Sequence, residues 1–152
     1  MLASHELFRE QLVETQTVLR FDGGVASSTG YHPMHGIVFT HWADYSGPED
    51  IRVAFEQRLA LFEAHPEAKR ELHSAETAFG PLAEVLPWIQ EHYMPVLAAR
   101  PGMHSAVIAP QALSTRLEVN AYAEWLRKLQ VPIRLLDTWG PELNQALDLK
   151  RG

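Results

Sequence analysis

The chain has 152 residues, the length of one domain, and 46% of them are hydrophobic, enough for an ordinary core and too many for a disordered chain. It contains no cysteine, which excludes disulfides, thiolate metal sites and cysteine nucleophiles and suits a cytoplasmic location. The 13 basic and 19 acidic residues leave a net charge of −6, and the basic ones are scattered, so the positive stripe of a nucleic-acid surface is missing.

No apolar run approaches the ~18 residues that a membrane-spanning helix needs. The opening MLASHELFREQ lacks the basic-then-apolar pattern of a secretory leader. Residues 1–16 fit either a short helix or a strand, and an extended segment is preferred. Thr17 to Asp22 is β-prone and ends at the turn residues Gly23-Gly24. The Gly- and Ser-rich stretch from Gly23 to Met34 reads as a long loop, and His35 to Asp44 as a strand. These two strands are expected to pair antiparallel.

Ser46-Gly47-Pro48-Glu49 starts a helix, with Ser46 as its cap and Pro48 in the first turn. Ile51, Phe55, Leu59 and Phe62 form one apolar stripe, and His65-Pro66 ends it. Lys69 to Ala75 is assigned as a strand by position, because a parallel strand must follow the crossover helix. A second helical region runs from Phe79-Gly80-Pro81 to about Ala99, with distortions expected at Pro87 and Pro95. His104 to Ala109 reads as a buried strand. Ser114 caps a third helix with Leu117, Ala121, Tyr122, Trp125, Leu126 and Leu129 inward or at the rim. Ile133 to Leu136 is the last central strand, and Gly140-Pro141-Glu142 opens a terminal helix. The order specifies one α/β domain over residues 1–152, a mixed and mainly parallel sheet with four helical regions. Phe55, Leu59, Val107 and Leu126 are the expected core.

The chain resembles the SpoIIAA-like group of STAS-type domains, whose architecture is related to that of CRAL-TRIO domains. The resemblance is nearest to a Bacteroidetes branch. It rests on HGIVFTHWADYSGPEDIRVAFEQRLALF, on Trp88 with Tyr93-Met94-Pro95, on HSAVIAP, and on Ser114 to Asn120 followed by IRLLDTWGPELNQAL. It spans roughly residues 15–149 as a pattern and implies a bacterial, STAS-like regulatory or protein-interaction module. In STAS-type antagonists a phosphorylatable serine opens a helix after the third strand. That turn falls near Thr77-Ala78-Phe79-Gly80 here, with Ala78 at the serine position and Ser74 or Thr77 as substitutes if the register slips. The departure argues against a phosphorylation switch.

Candidate chemistry is sparse. His32 and His35 have loop spacing for two imidazoles on a metal, but the helical zinc-protease signature is absent, so no metal is expected. His41, His73 and His104 lie on three strands, and whether they converge depends on register. There is no G-x-S-x-G elbow and no phosphate-binding glycine loop. Glu76 and Glu84 read as solvated acids. No catalytic residue and no cofactor is assigned, and the chain is read as non-enzymatic. Trp42, Trp88, Tyr93 and Trp125 are the candidates for lining a pocket, where apolar walls bind small molecules. A CRAL-TRIO-like carrier or sensor of a small apolar ligand is therefore the alternative reading, and an enzyme of another type the second. Trp42 and Tyr45 are the candidates for a two-fold dimer interface, since alternation through Ala43 and Asp44 cannot turn both inward.

Overall fold

The computed structural model describes residues 2–149. Six strands form one sheet in chain order: β1 (Val13–Leu19), β2 (Val25–His32), β3 (Ile37–Trp42), β4 (Arg70–Ser74), β5 (His104–Ile108) and β6 (Ile133–Leu136). The first three pair antiparallel and the last four parallel. The α/β sandwich and its mixed sheet are as expected, but the first third of the chain is not.

The stretch expected as a loop is strand β2. Its apolar content is low, yet both its neighbours hydrogen-bond to it, so the two flanking strands pair with β2 and not with each other. Ser27 and Thr29 are fully buried there, and the hydroxyls of Thr29 and Thr40 meet at 2.8 Å across the β2–β3 ladder. The segment preferred as extended contains helix α1 (His5–Glu10), which makes five helical regions rather than four. The Ser4 hydroxyl accepts from the Leu7 N–H at its start, and Phe8 is fully buried against Phe39 and Trp139.

Helix α2 (Pro48–Ala64) is capped by Gly47, whose N–H donates to Asp50, while the Ser46 hydroxyl donates instead to the Ala26 carbonyl. Its buried face carries Ile51, Ala54, Phe55, Arg58, Leu61 and Phe62, so Leu59 lies half-buried beside the stripe rather than in it. The region expected to break at Pro87 and Pro95 is α3 (Leu82–Trp88), a π-helical turn (Ile89–Tyr93) and α4 (Met94–Ala98); α3 runs through Pro87 without a break, and the distortion falls ahead of Pro95 alone. Pro95 has no N–H for the Glu91 carbonyl, and its ring would crowd that group. The backbone widens, and the Met94 N–H reaches back five residues to the Ile89 carbonyl. Helix α5 (Leu113–Lys128) is capped at Ala112, two residues before the expected Ser114, and Leu117, expected inward or at the rim, is 59% exposed. Helix α6 (Glu142–Ala146) closes the chain.

The crossovers β3-α2-β4, β4-α3-α4-β5 and β5-α5-β6 all step the same way along the sheet. Crossovers of one hand then lay their helices on one face. The larger core lies there, between the sheet and α2 through α5, while α1 and α6 cover the other face with Phe8, Leu143 and Leu147.

Candidate functional site

Alternation along β4 turns Glu71 and His73 toward the larger core, and Arg70 and Leu72 the other way. The register sets Glu71 between Val38 and Ser105, and His73 between Thr40 and Val107. Glu71 is fully buried, and its carboxylate accepts from five side chains. Arg58 Nη2 of α2 donates at 2.8 Å, Ser105 of β5 at 2.6 Å, Tyr122 of α5 at 2.7 Å and His73 Nε2 at 3.3 Å, and the Tyr93 hydroxyl of the π turn is the fifth. One carboxylate thus ties together two strands and all three helical layers on this face. Burial works against its charge, but the Arg58 guanidinium and the donated hydrogen bonds, that of His73 Nε2–H among them, outweigh it and hold the carboxyl well below its usual range.

Arg58 is also fully buried. Its Nε donates to the Tyr93 hydroxyl at 2.9 Å and its Nη1 to Thr40 at 2.8 Å. Burial pushes the Tyr93 and Tyr122 hydroxyls well above their ordinary range, so both remain donors. The Trp42 indole N–H donates to His73 Nδ1 at 3.1 Å. That bond needs a bare Nδ1, so the proton sits on Nε2, the atom facing Glu71. Burial, followed by the Arg58 charge, lowers the His73 pKa and agrees with a neutral ring. Both nitrogens are engaged, and His73 has no basic atom to offer a substrate.

Above this network an apolar cavity of about 60 Å3 opens to solvent at the C-terminal ends of the parallel strands. Trp42, His73 and Val107 form its floor, Phe55 and Val119 its sides, and loop residues Ala78, Phe79 and Gly80 part of its rim. Among the described residues no Lys, Arg, Asp or Glu lines it. The rim is held by two backbone bonds, Phe79 N–H to Asp44 and Ser46 N–H to Phe79. Gly80, at φ +153°, fits only as glycine, because a Cβ there would stand 2.2 Å from the Ser46 oxygen.

Of the residues expected to line a pocket, Trp42 lies in this cavity. Tyr93 lies beneath it in the Glu71 network, Trp88 packs beside His92, and Trp125 is 37% exposed under the Lys128 ammonium. Of the two interface candidates Trp42 is 8% exposed, whereas Tyr45 is 43% exposed and pairs with the equally open Phe79 at the rim. The three strand histidines do not converge. His73 faces the network, His41 faces the opposite layer, and His104 stands on that other face at the start of β5, bonded to the Gly102 carbonyl. At the turn between β4 and α3, Ala78 lines the cavity, Ser74 is buried and Thr77 is exposed.

Arg58 and Glu71 escaped the sequence reading, although both left a signal. Arg58 sits three residues after Phe55 and four before Phe62, a charge in the middle of an apolar stripe. Glu71 and His73 share one face of a strand that must be buried to complete the parallel sheet.

Fold and site together define an α/β protein with a saturated carboxylate network beneath an apolar cavity. No family model, curated protein or solved structure matches the chain.

Proposed function

We propose that this chain is a non-enzymatic, STAS-like binding module that takes a small apolar group into the cavity above Trp42 and His73. The single observation carrying the reading is the contrast between the cavity wall and the layer beneath it. The wall is carbon, while the polar groups just below are engaged with one another and offer nothing to a reaction. The position agrees with the general tendency of α/β sheets to bind ligands beyond the carboxyl ends of their strands. A regulatory contact with a protein partner, or with a second copy, has its support at the same place. Tyr45 and Phe79 expose aromatic surface at the rim, where occupancy of the cavity would be felt.

The test is an NMR titration of the Trp42 indole N–H with 1-butanol, supported by native mass spectrometry of freshly purified protein. A saturable shift that disappears in Val119→Phe, whose ring would fill the space, is the expected result. A linear, unsaturable shift unchanged by that substitution rejects the binding reading.

A further inference from the structure

The wall of the cavity is almost wholly carbon, and five rings contribute to it: Trp42, Phe55, His73, Phe79 and Tyr122. The three rings that carry polar atoms give their protons to the network below. Trp42 Nε1–H donates to His73 Nδ1 at 3.1 Å, while His73 Nε2–H and the Tyr122 hydroxyl donate to Glu71 at 3.3 and 2.7 Å. The cavity wall is thus linked by hydrogen bonds to a buried carboxylate. Groups bonded in such a chain polarise one another, and protons drawn toward Glu71 leave electron density on the rings. An aromatic face attracts a cation, and the more so where water is excluded. Arg58, which balances Glu71, does not line the cavity. Its hydrogen bonds go to Tyr93, Thr40 and Glu71, and none of these lines it either.

These rings sort ligands by charge. An anion would lose its water and gain no counter-ion. A primary ammonium would bring N–H groups to a carbon wall and leave them unpaired. A quaternary ammonium has no N–H, and its charge lies under methyl groups that suit an apolar surface. Resting on the binding role above, we infer that the cavity recognises the N-methyl groups of a quaternary ammonium ligand through its aromatic rings. The net charge of −6 favours the approach of a cation. The space of about 60 Å3 is smaller than the roughly 150 Å3 that encloses a benzene ring. The cavity therefore takes N-methyl groups and leaves the rest of the ligand at the mouth, beside Phe79.

The test compares choline with 3,3-dimethyl-1-butanol, which has the same shape with carbon in place of the charged nitrogen, and with ethanolamine. Affinities are read at neutral pH from the saturable shift of the Trp42 indole N–H. Choline is expected to bind roughly 3- to 30-fold more tightly than the neutral alcohol, the range for a cation against aromatic faces. Ethanolamine should bind more weakly than choline. Phe79→Leu keeps an apolar rim and removes one ring, so it should weaken choline about threefold and leave the alcohol unchanged. Choline no tighter than the alcohol or than ethanolamine, or a choline preference indifferent to Phe79→Leu, overturns the inference while the binding role stands. Saturation by none of the three compounds, nor by 1-butanol, overturns both. A circular-dichroism melt of Phe79→Leu separates lost binding from lost fold. Phosphatidylcholine vesicles distinguish the source of the group. Co-sedimentation that free choline displaces supports a lipid head group, and choline binding without co-sedimentation supports a free molecule.

Discussion

The guanidinium of Arg58 and the carboxylate of Glu71 meet at 2.8 Å with neither side chain reaching solvent. A buried pair of this kind adds little stability compared with an apolar pair, but removing one partner strands the other. Glu71→Gln should therefore lower unfolding free energy by about 3–5 kcal/mol in a denaturant titration. A loss under about 1 kcal/mol would mean that Arg58 finds water or another partner. The pair's structural role is to fix which helix sits over which strand, because Arg58 comes from α2, Tyr93 from the π turn and Tyr122 from α5.

The Trp42–His73 bond predicts a tautomer. The 15N shifts of His73 should show a neutral ring protonated at Nε2, with no titration near the ordinary histidine value. Trp42→Phe leaves Nδ1 buried without a donor and should cost about 1–3 kcal/mol. A protonated His73 at pH 6 in the wild type would contradict the bond direction.

The opposite face predicts an acid response. Burial, with His35 nearby, lowers His32 to about 4, and burial, with Arg9 and His5 nearby, lowers His41 to about 4. His5 is lowered as well, by burial first and then by Arg9, with Glu76 opposing. Between the folded value near 4 and the unfolded value near 6.5, the unfolded chain binds more protons, so stability rises with pH across that window. These histidines' contribution is complete above about 6.5 and declines as pH falls toward 4. His5 stacks on Trp139, and His32 on Phe8, so α1 should loosen first. Hydrogen exchange at pH 7 and pH 5 checks this; equal protection of α1 at both values would contradict it.

Gly80→Ala tests the rim. Its Cβ would collide with the Ser46 carbonyl at a positive φ, and strain of this kind costs about 1–3 kcal/mol. The variant should melt at lower temperature and shift the Phe79 resonances. Unchanged stability would mean that loop 75–81 yields freely.

Within α2, Phe62→Ala should cost about 3–5 kcal/mol and Leu59→Ala clearly less, because Phe62 is fully buried and Leu59 only half-buried. Comparable losses in chemical denaturation would return Leu59 to the core.

By itself the sequence determined the parallel half of the sheet and its helices. Capped starts, the Phe55-to-Phe62 stripe, and the apolar runs at Val107 and Ile133 are local signals with the right period. It also marked the distortion at Pro95, since a missing N–H acts wherever the residue stands. Only the tertiary structure decided strand β2 and helix α1. Ser27 and Thr29 become interior because strands on both sides complete their backbone bonds, and Phe8 gains a helix because Phe39 and Trp139 wait beneath it. The site was decided the same way. Glu71 meets Tyr122 across 51 residues of chain, and Trp42 meets His73 across 31. Neither spacing carries a local period, so contacts of that range exist only once strand register and helix rotation are set.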